Sequence, residues 1–366
     1  MTMHKLDRRK LVMAASFALL AGCKVVPKAP PTTAPPTTAT ASPSAGALPT
    51  DLQRHRVALL LPLSGPNGAV GQSIANATTM ALLDTNAQNL RITTYDTITS
   101  GAGVAAGRAI ADGNKLILGP LLSDDIPAIT TAARAARVPV ISYSNDEARA
   151  TRDTLIMGSL PSQSVSRTVA YARAQGASRF AALIPSGEYG QRASASLVAT
   201  VRAQGGAVTA MESFDRTAAS AVAAARRLRD KGGYDAVLIA DGGRMSAQAA
   251  PLLKSRADPG TRILGTELWS GESVVSATAA LQGAGYSAVS DGRWRQFADS
   301  YRNRFSTAPY RSATLGYDSV LLPLRVARDW KPGAIFPTGK MFDSGGFLGL
   351  DGAFRFRGNG AIERAL

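Results

Sequence analysis

Arg56-Val-Ala-Leu-Leu-Leu-Pro-Leu-Ser-Gly65 and, 123 residues further on, Arg179-Phe-Ala-Ala-Leu-Ile-Pro-Ser-Gly187 share one design, an apolar run of strand length that ends in a Pro/Ser/Gly turn. Near-continuous apolar strands are buried on both faces, the mark of a parallel sheet held between helix layers. After the first run, further strands are expected at 90–96, 115–118 and 138–142, with Ala-rich amphipathic helices at 70–83, 103–111 and 126–136 between them. After the second run the order repeats, with strands at 234–240 and 261–265 in the places of 115–118 and 138–142. Each Pro/Ser/Gly turn leads into a helix, and these four elements recurring in one order predict an α/β protein of two similar lobes, each a doubly wound parallel sheet.

The 366 residues agree with a division, since single cores stop growing near ~250 to 300 residues. The boundaries expected are lobe 1 at about 54–150 and 315–340, and lobe 2 at about 151–314. One Cys and two His exclude an internal disulfide, a Cys-rich metal site and a three-His zinc, and no metal or cofactor is expected.

The net charge of +15 would suggest nucleic acid, but the N-terminus argues otherwise. Lys5, Arg8, Arg9 and Lys10 precede ten residues, 11–20, that are apolar except for Ser16, and this is the pattern of an export signal over 1–22. Ten residues at ~1.5 Å rise span about half of a bilayer core, too little for a membrane helix. Leu20-Ala21-Gly22-Cys23 resembles the bacterial lipobox, and the chain's single Cys stands in it, so Cys23 is the expected lipid anchor. Lys24 behind it resembles the outer-membrane type. Residues 23–53 are rich in Pro, Thr and Ala and read as a linker; in extended polyproline II, ~28 residues would reach on the order of 85 Å. The signal carries net +3 and the linker net +1, leaving +11 on the body of an exported protein that meets no chromosomal DNA. Its partners are then anionic envelope polymers or an acidic protein face, unless the charge serves solubility alone.

Ligands of open parallel sheets sit at the carboxyl ends of the strands. In the first lobe that places Ser64, Ser123 and the turn Ser142-Tyr143-Ser144-Asn145 at a cleft; in the second, Tyr189, Asp241 and Glu267. Hydroxyls and amides of the first lobe would face an anion, and the carboxylates of the second an ammonium group. Taken singly, each residue reads equally as a helix cap.

Across 54–366 the chain resembles the type I periplasmic-binding, or leucine-binding, superfamily. Pro62-Leu63-Ser64-Gly65, Gly119-Pro120 with Ser123, and Val138-Pro139-Val140-Ile141-Ser142 carry that resemblance. Within it the sequence is similar to the lipoprotein activators of penicillin-binding proteins, through Leu264-Gly265-Thr266-Glu267-Leu268-Trp269, Leu315-Gly316-Tyr317-Asp318-Ser319 and the closing Phe347 to Gly352, Phe354-Arg355-Phe356 and Gly360 to Arg364. The resemblance implies a two-lobed fold with a terminal hairpin, and a non-catalytic periplasmic protein that docks on a class A penicillin-binding protein and stimulates peptidoglycan synthesis. The alternative within the superfamily is the substrate-binding lipoprotein of an amino-acid or amide ABC transporter, in which Ser123, Ser142 to Asn145, Tyr189 and Asp241 would hold a small amino-acid-like ligand.

An enzyme is not expected. His4 leaves with the signal, and His55 stands ahead of the first strand, away from the carboxyl-end loops where a triad would need it. Asp124-Asp125 reads as the first turn of a helix. Gly101-Ala-Gly103-Val-Ala-Ala-Gly107 misses dinucleotide spacing by one residue and reads as a helix start. Trp269, Trp294, Trp330, Tyr301 and Tyr317 read chiefly as core, with any exposed ring a candidate anchor for a partner.

Overall fold

The computed structural model describes residues 53–254 and 260–366. The export segment, Cys23 and the linker up to residue 52 lie outside the described residues.

The first lobe alternates β1 (His55–Leu61), α1 (Gly68–Asp84), β2 (Leu90–Asp96), α2 (Ala102–Ala111), β3 (Ile117–Leu118), α3 (Ile126–Ala135), β4 (Val140–Ser142) and β5 (Thr154–Ile156). The second continues with α4 (Pro161–Ala174), β6 (Arg179–Pro185), α5 (Glu188–Ala203), β7 (Ala207–Phe214), α6 (Ala218–Lys231), β8 (Ala236–Ile239), α7 (Gly243–Leu253), β9 (Arg262–Leu264) and the single-turn α8 (Ser273–Ala277). Then follow α9 (Gly292–Phe305), α10 (Ala313–Val326) and an antiparallel sheet of β10 (Phe347–Gly349), β11 (Gly352–Phe356) and β12 (Ile362–Arg364).

Both large sheets are parallel and ordered alike, β2-β1-β3-β4-β5 and β7-β6-β8-β9, so the doubled α/β design is the observed one. The apolar runs bury both faces because their side chains alternate between two cores. Val57, Leu59 and Leu61 enter the core shared with α1 and α10, whereas Ala58 and Leu60 enter the one under α2 and α3. In β6, Ala181 and Leu183 face one core, Phe180 and Ala182 the other.

The two proline turns are closed by the same contact. A Cβ on Gly71 of α1 would lie 1.8 Å from the Pro62 carbonyl oxygen, and one on Gly190 of α5 would lie 1.8 Å from that of Pro185. Only a residue without a side chain lets the helix sit so close to the end of its strand.

The lobe boundaries differ from those expected. β5 pairs with β4 and so extends the first lobe past residue 150. α9 was expected in the second lobe but packs on α1: its stripe of Trp294, Phe297, Tyr301 and Phe305 meets Ala77 and Met80, and Asn76 Nδ2 donates to Tyr301 Oη at 3.0 Å. The antiparallel sheet, past residue 340, also joins the first lobe's core through Phe347, Phe354, Phe356 and Ile362. Long-range complementarity decided both placements. Asp124 and Asp125 stand in a short 3-10 turn just ahead of α3 rather than inside its first turn. His55 is buried at the start of β1, stacked on Trp330 with centroids 4.2 Å apart, and burial lowers its pKa.

Candidate functional site

Each sheet ends at its carboxyl edge in turns that help line a cleft of about 650 Å3, with walls from both lobes, α10, the antiparallel sheet and the C-terminal residue Leu366. From the first lobe come Asn67, Leu121, Tyr143 and Asn145, and from the second side Ser164, Glu267 and Ser270. Arg311, Asp351 and Arg364 close it where α10 meets the terminal sheet.

The turn after β4 uses its polar groups on itself and on the neighbouring turn after β3. Ser142 Oγ donates to the Pro120 carbonyl at 2.9 Å and accepts from the Ser144 N–H at 3.1 Å. Ser144 Oγ accepts from the Asp146 N–H at 3.1 Å, and Ser123 Oγ donates to Asp146 Oδ2 at 2.7 Å. Tyr143 is buried, its hydroxyl 2.8 Å from Ser319 Oγ on α10, and that burial raises its pKa. Of this turn only Tyr143 and Asn145 reach the cleft wall, and Ser64 is exposed outside it. The sequence expected these hydroxyls to face a ligand; the compact turn satisfies them internally instead, as buried hydroxyls require.

The turn after β9 is built differently. Thr266 opens a 3-10 turn, Glu267–Trp269, which the Trp269 indole anchors by donating to the Asp241 carbonyl and to Ser246 Oγ, both at 2.9 Å. The Glu267 N–H donates to Ser164 Oγ at 2.9 Å. The Tyr189 hydroxyl lies 2.9 Å from Thr266 Oγ1 and 3.0 Å from Glu267 Oε1, while Glu267 Oε2 is shut from solvent without a hydrogen bond. Burial pushes the Glu267 carboxyl up to about 7, outweighing hydrogen bonds from its own N–H, Tyr189 and Ser164. Burial likewise raises the Tyr189 phenol, and the nearby Glu267 charge adds to that. Asp241 stands beneath, its Oδ1 accepting from the Gly242 N–H at 2.7 Å and its Oδ2 3.7 Å from Arg216 Nε. Tyr189 thus contacts Glu267 directly, while Asp241 holds the neighbouring Trp269 through its backbone carbonyl.

Arg192 of α5 ties the second lobe to the turn after β4. It donates from Nη1 to Asn145 Oδ1 at 3.0 Å, and its Nη2 lies 3.1 Å from Asp146 Oδ2. Burial by itself would raise the Asp146 carboxyl, but the Ser123 hydroxyl and Arg192 hold it below the usual range.

The residues that sequence reasoning missed lie far along the chain. Arg311 pairs with Asp351 at 2.7 Å, reaches Ser270 Oγ at 3.3 Å and stacks over Trp294 at 4.8 Å. Arg364 is buried, donates to the Met157 carbonyl at 2.8 Å and leaves Nε and Nη1 unbonded. Asp318 accepts from the Leu350 N–H at 2.7 Å, and burial beside Asp351 raises its pKa. A charged residue in a C-terminal hairpin gives no local sign that it will fold back onto a cleft; a buried-helix Asp such as Asp318 was the available hint.

A model of the family described as periplasmic binding protein matches residues 55–340. The leucine-binding protein of Thermotoga maritima shares the fold at a TM-score of 0.60 and 19% identity, over 84% of this chain and 93% of that one. A branched-chain amino acid transporter substrate-binding protein of Streptococcus pneumoniae, in complex with isoleucine, gives 0.61 at 17% identity over 84% and 93%. A solute-binding protein of an ABC transporter from Rhodopseudomonas palustris, in complex with 3,4-dihydroxy benzoic acid, gives 0.66 at 16% identity over 85% and 91%. In sequence, an uncharacterized protein of Rickettsia prowazekii is 32% identical over 136 residues, 37% of this chain and 36% of that protein, so the chain spans about a third of the length of the curated relative it matches. Since the family match runs through both lobes and α10, the chain belongs to the periplasmic binding protein family.

Proposed function

We propose that this chain is a periplasmic solute receptor, a non-catalytic lipoprotein that closes its lobes on a small carboxylate-bearing molecule for an ATP-driven transporter. The observation that carries the reading is Glu267, a carboxyl held on the wall of the 650 Å3 cleft with one oxygen lacking a partner. An orphaned buried acceptor is costly unless something donates to it; Oε2 is shut from solvent in this conformation, and opening of the lobes would expose it to an ammonium or hydroxyl group of a ligand. Two neighbours in fold hold isoleucine and a dihydroxybenzoic acid, and both ligands are small carboxylic acids. The test is thermal shift followed by calorimetry against branched-chain amino acids and hydroxybenzoates. At least one should raise the melting temperature of the wild type and lose that effect in Glu267→Gln. Silence across the panel overturns the receptor reading.

One observation favours a second reading, the docking activator of a class A penicillin-binding protein that the C-terminal motifs resemble. The hydroxyls of the turn after β4 are engaged within their own lobe, and the chain's own Arg364 and Leu366 line the cleft. A binding-protein scaffold with its carboxylate cradle closed suits contact through an outer surface. Crosslinking co-purification from native envelopes separates the two. A penicillin-binding protein recovered without a permease supports the activator, and a permease alone supports the receptor.

A further inference from the structure

An acid entering the cleft meets the hydroxyls of Ser142, Ser144 and Ser123 already engaged. Arg311, just ahead of α10, is arranged the opposite way. Its Nη1 donates to Asp351 Oδ1 at 2.7 Å and to Thr314 Oγ1 at 3.3 Å, and its guanidinium stacks over Trp294 at 4.8 Å. One side of the planar group is thereby fixed. The other edge joins Nε, at a long 3.3 Å from Ser270 Oγ, to Nη2, which has no hydrogen-bond partner among the described residues. A guanidinium anchored through Nη1, with its Nε–Nη2 edge scarcely used, has the shape that takes a carboxylate through two parallel N–H···O bonds.

Arg364 adds positive charge to the same cleft. It is buried, lies over Phe354 at 5.2 Å and leaves Nε and Nη1 unbonded. The carboxylates acting on it are Asp351, already paired with Arg311, and Asp318, whose pKa is raised by burial and by Asp351. Two guanidiniums therefore share less than two full negative charges. The other carboxylates lining the cleft are Glu267 and the exposed Glu272.

The spacing of the anchors bears on what fits between them. Glu267 and Ser270 are three residues apart across a 3-10 turn, about 6 Å along its axis at ~2.0 Å per residue. The Glu267 carboxyl turns to Tyr189, and Arg311 meets the other end of the turn at Ser270. An α-amino acid carries its ammonium and carboxylate on one carbon, whereas a molecule with acid and donor at opposite ends matches two anchors set at two ends of a turn. Leu121, Leu160, Leu268 and Leu315 supply apolar wall, and about 650 Å3 is the size of cavities that enclose molecules larger than one amino acid.

We propose that Arg311 is the acid-binding residue of the cleft and that the ligand is an elongated apolar acid, its carboxylate on the Nε–Nη2 edge of Arg311 and its ammonium or hydroxyl group on Glu267. The assignment rests on the receptor reading and adds to it where the acid is held and how far from the donor it stands. Opening of the lobes would part Arg311 from Ser270 and expose that edge, while Asp351, Thr314 and Trp294 keep the guanidinium in place.

The experiment is calorimetry on the wild-type protein with two matched pairs, Leu-Leu and its amide, and para-hydroxybenzoate and its amide, beside leucine alone. At least one acid should bind, and its amide should bind about ten- to hundredfold more weakly, as expected for the loss of a charged hydrogen bond. The pair that responds tells a peptide from an aryl acid, and leucine should bind more weakly than the better acid. Arg311→Gln should abolish the preference for acid over amide, and Arg311→Lys, which keeps the charge without the fork, should retain part of it. Arg311→Gln with Asp351→Asn serves if the single variant, which leaves Asp351 without its cation, does not fold; thermal unfolding checks each protein. Equal binding of acid and amide, a preference that survives in folded Arg311→Gln, or leucine binding as tightly as the better acid would each overturn the proposal and leave a receptor standing. Silence from all five compounds also overturns it, and the receptor reading falls with it only if the wider panel of branched-chain amino acids and hydroxybenzoates is silent too.

Discussion

The turn after β4 and the turn after β9 occupy the same place in their lobes and treat their polar groups in opposite ways. Ser142 donates to the Pro120 carbonyl of the neighbouring turn, Ser144 accepts from the Asp146 N–H within its own loop, and Ser123 bonds Asp146. Glu267 keeps an oxygen without a partner beside the cleft, on a turn stiffened by Trp269. Shared topology delivers residues to a common edge, but local hydrogen bonding decides which of them keep an unsatisfied acceptor there.

The strongest test of the likeness between the lobes is Gly71→Ala beside Gly190→Ala. Each adds a Cβ within 1.8 Å of a strand carbonyl, so each should cost roughly 3 to 5 kcal/mol in urea unfolding. A neutral result at one site would show that its lobe relaxes where the other cannot.

Glu267→Gln addresses the difference between them. The folded pKa of about 7 lies above the unfolded 4.5, so the native state binds more protons in that window and stability falls as pH rises through it. The decline should be on the order of 2 to 3 kcal/mol in the wild type and absent in the variant, read from unfolding midpoints across the window. An unchanged slope would place the carboxyl in contact with water.

Ser142→Ala should cost about 1 kcal/mol, the worth of its two internal hydrogen bonds, and leave ligand affinity unmoved. A loss of affinity at unchanged stability would restore that hydroxyl to the cleft. The smallest effect is expected from Arg192→Ala, which cuts the link from α5 to Asn145 and Asp146. About 1 kcal/mol or less in stability should accompany a more open pair of lobes in solution scattering.

The doubled design was legible because a buried parallel strand must be apolar throughout and must stop at a turn, and both requirements leave local marks, as in Arg56 to Gly65 and Arg179 to Gly187. The terminal sheet was legible only through resemblance, and it appears as three antiparallel strands. Of the residues expected at the cleft, Tyr143, Asn145 and Glu267 line it, with Tyr189 bonded to Glu267 and Asp241 to the Trp269 indole. Nothing in a run such as Ser142 to Asn145 tells whether a hydroxyl turns inward or outward, since both serve a tight turn.

By itself, then, the sequence determined the alternation of strands and helices, the repeat of the lobe and the end of each sheet at which polar residues gather, because these follow from periodicity and turn chemistry over a few residues. Only the tertiary structure decided that α9 belongs against α1 and that Arg311, Asp351 and Arg364 converge on the cleft. Those outcomes depend on register and packing between segments tens to hundreds of residues apart, and no local pattern encodes which distant surface a side chain will meet.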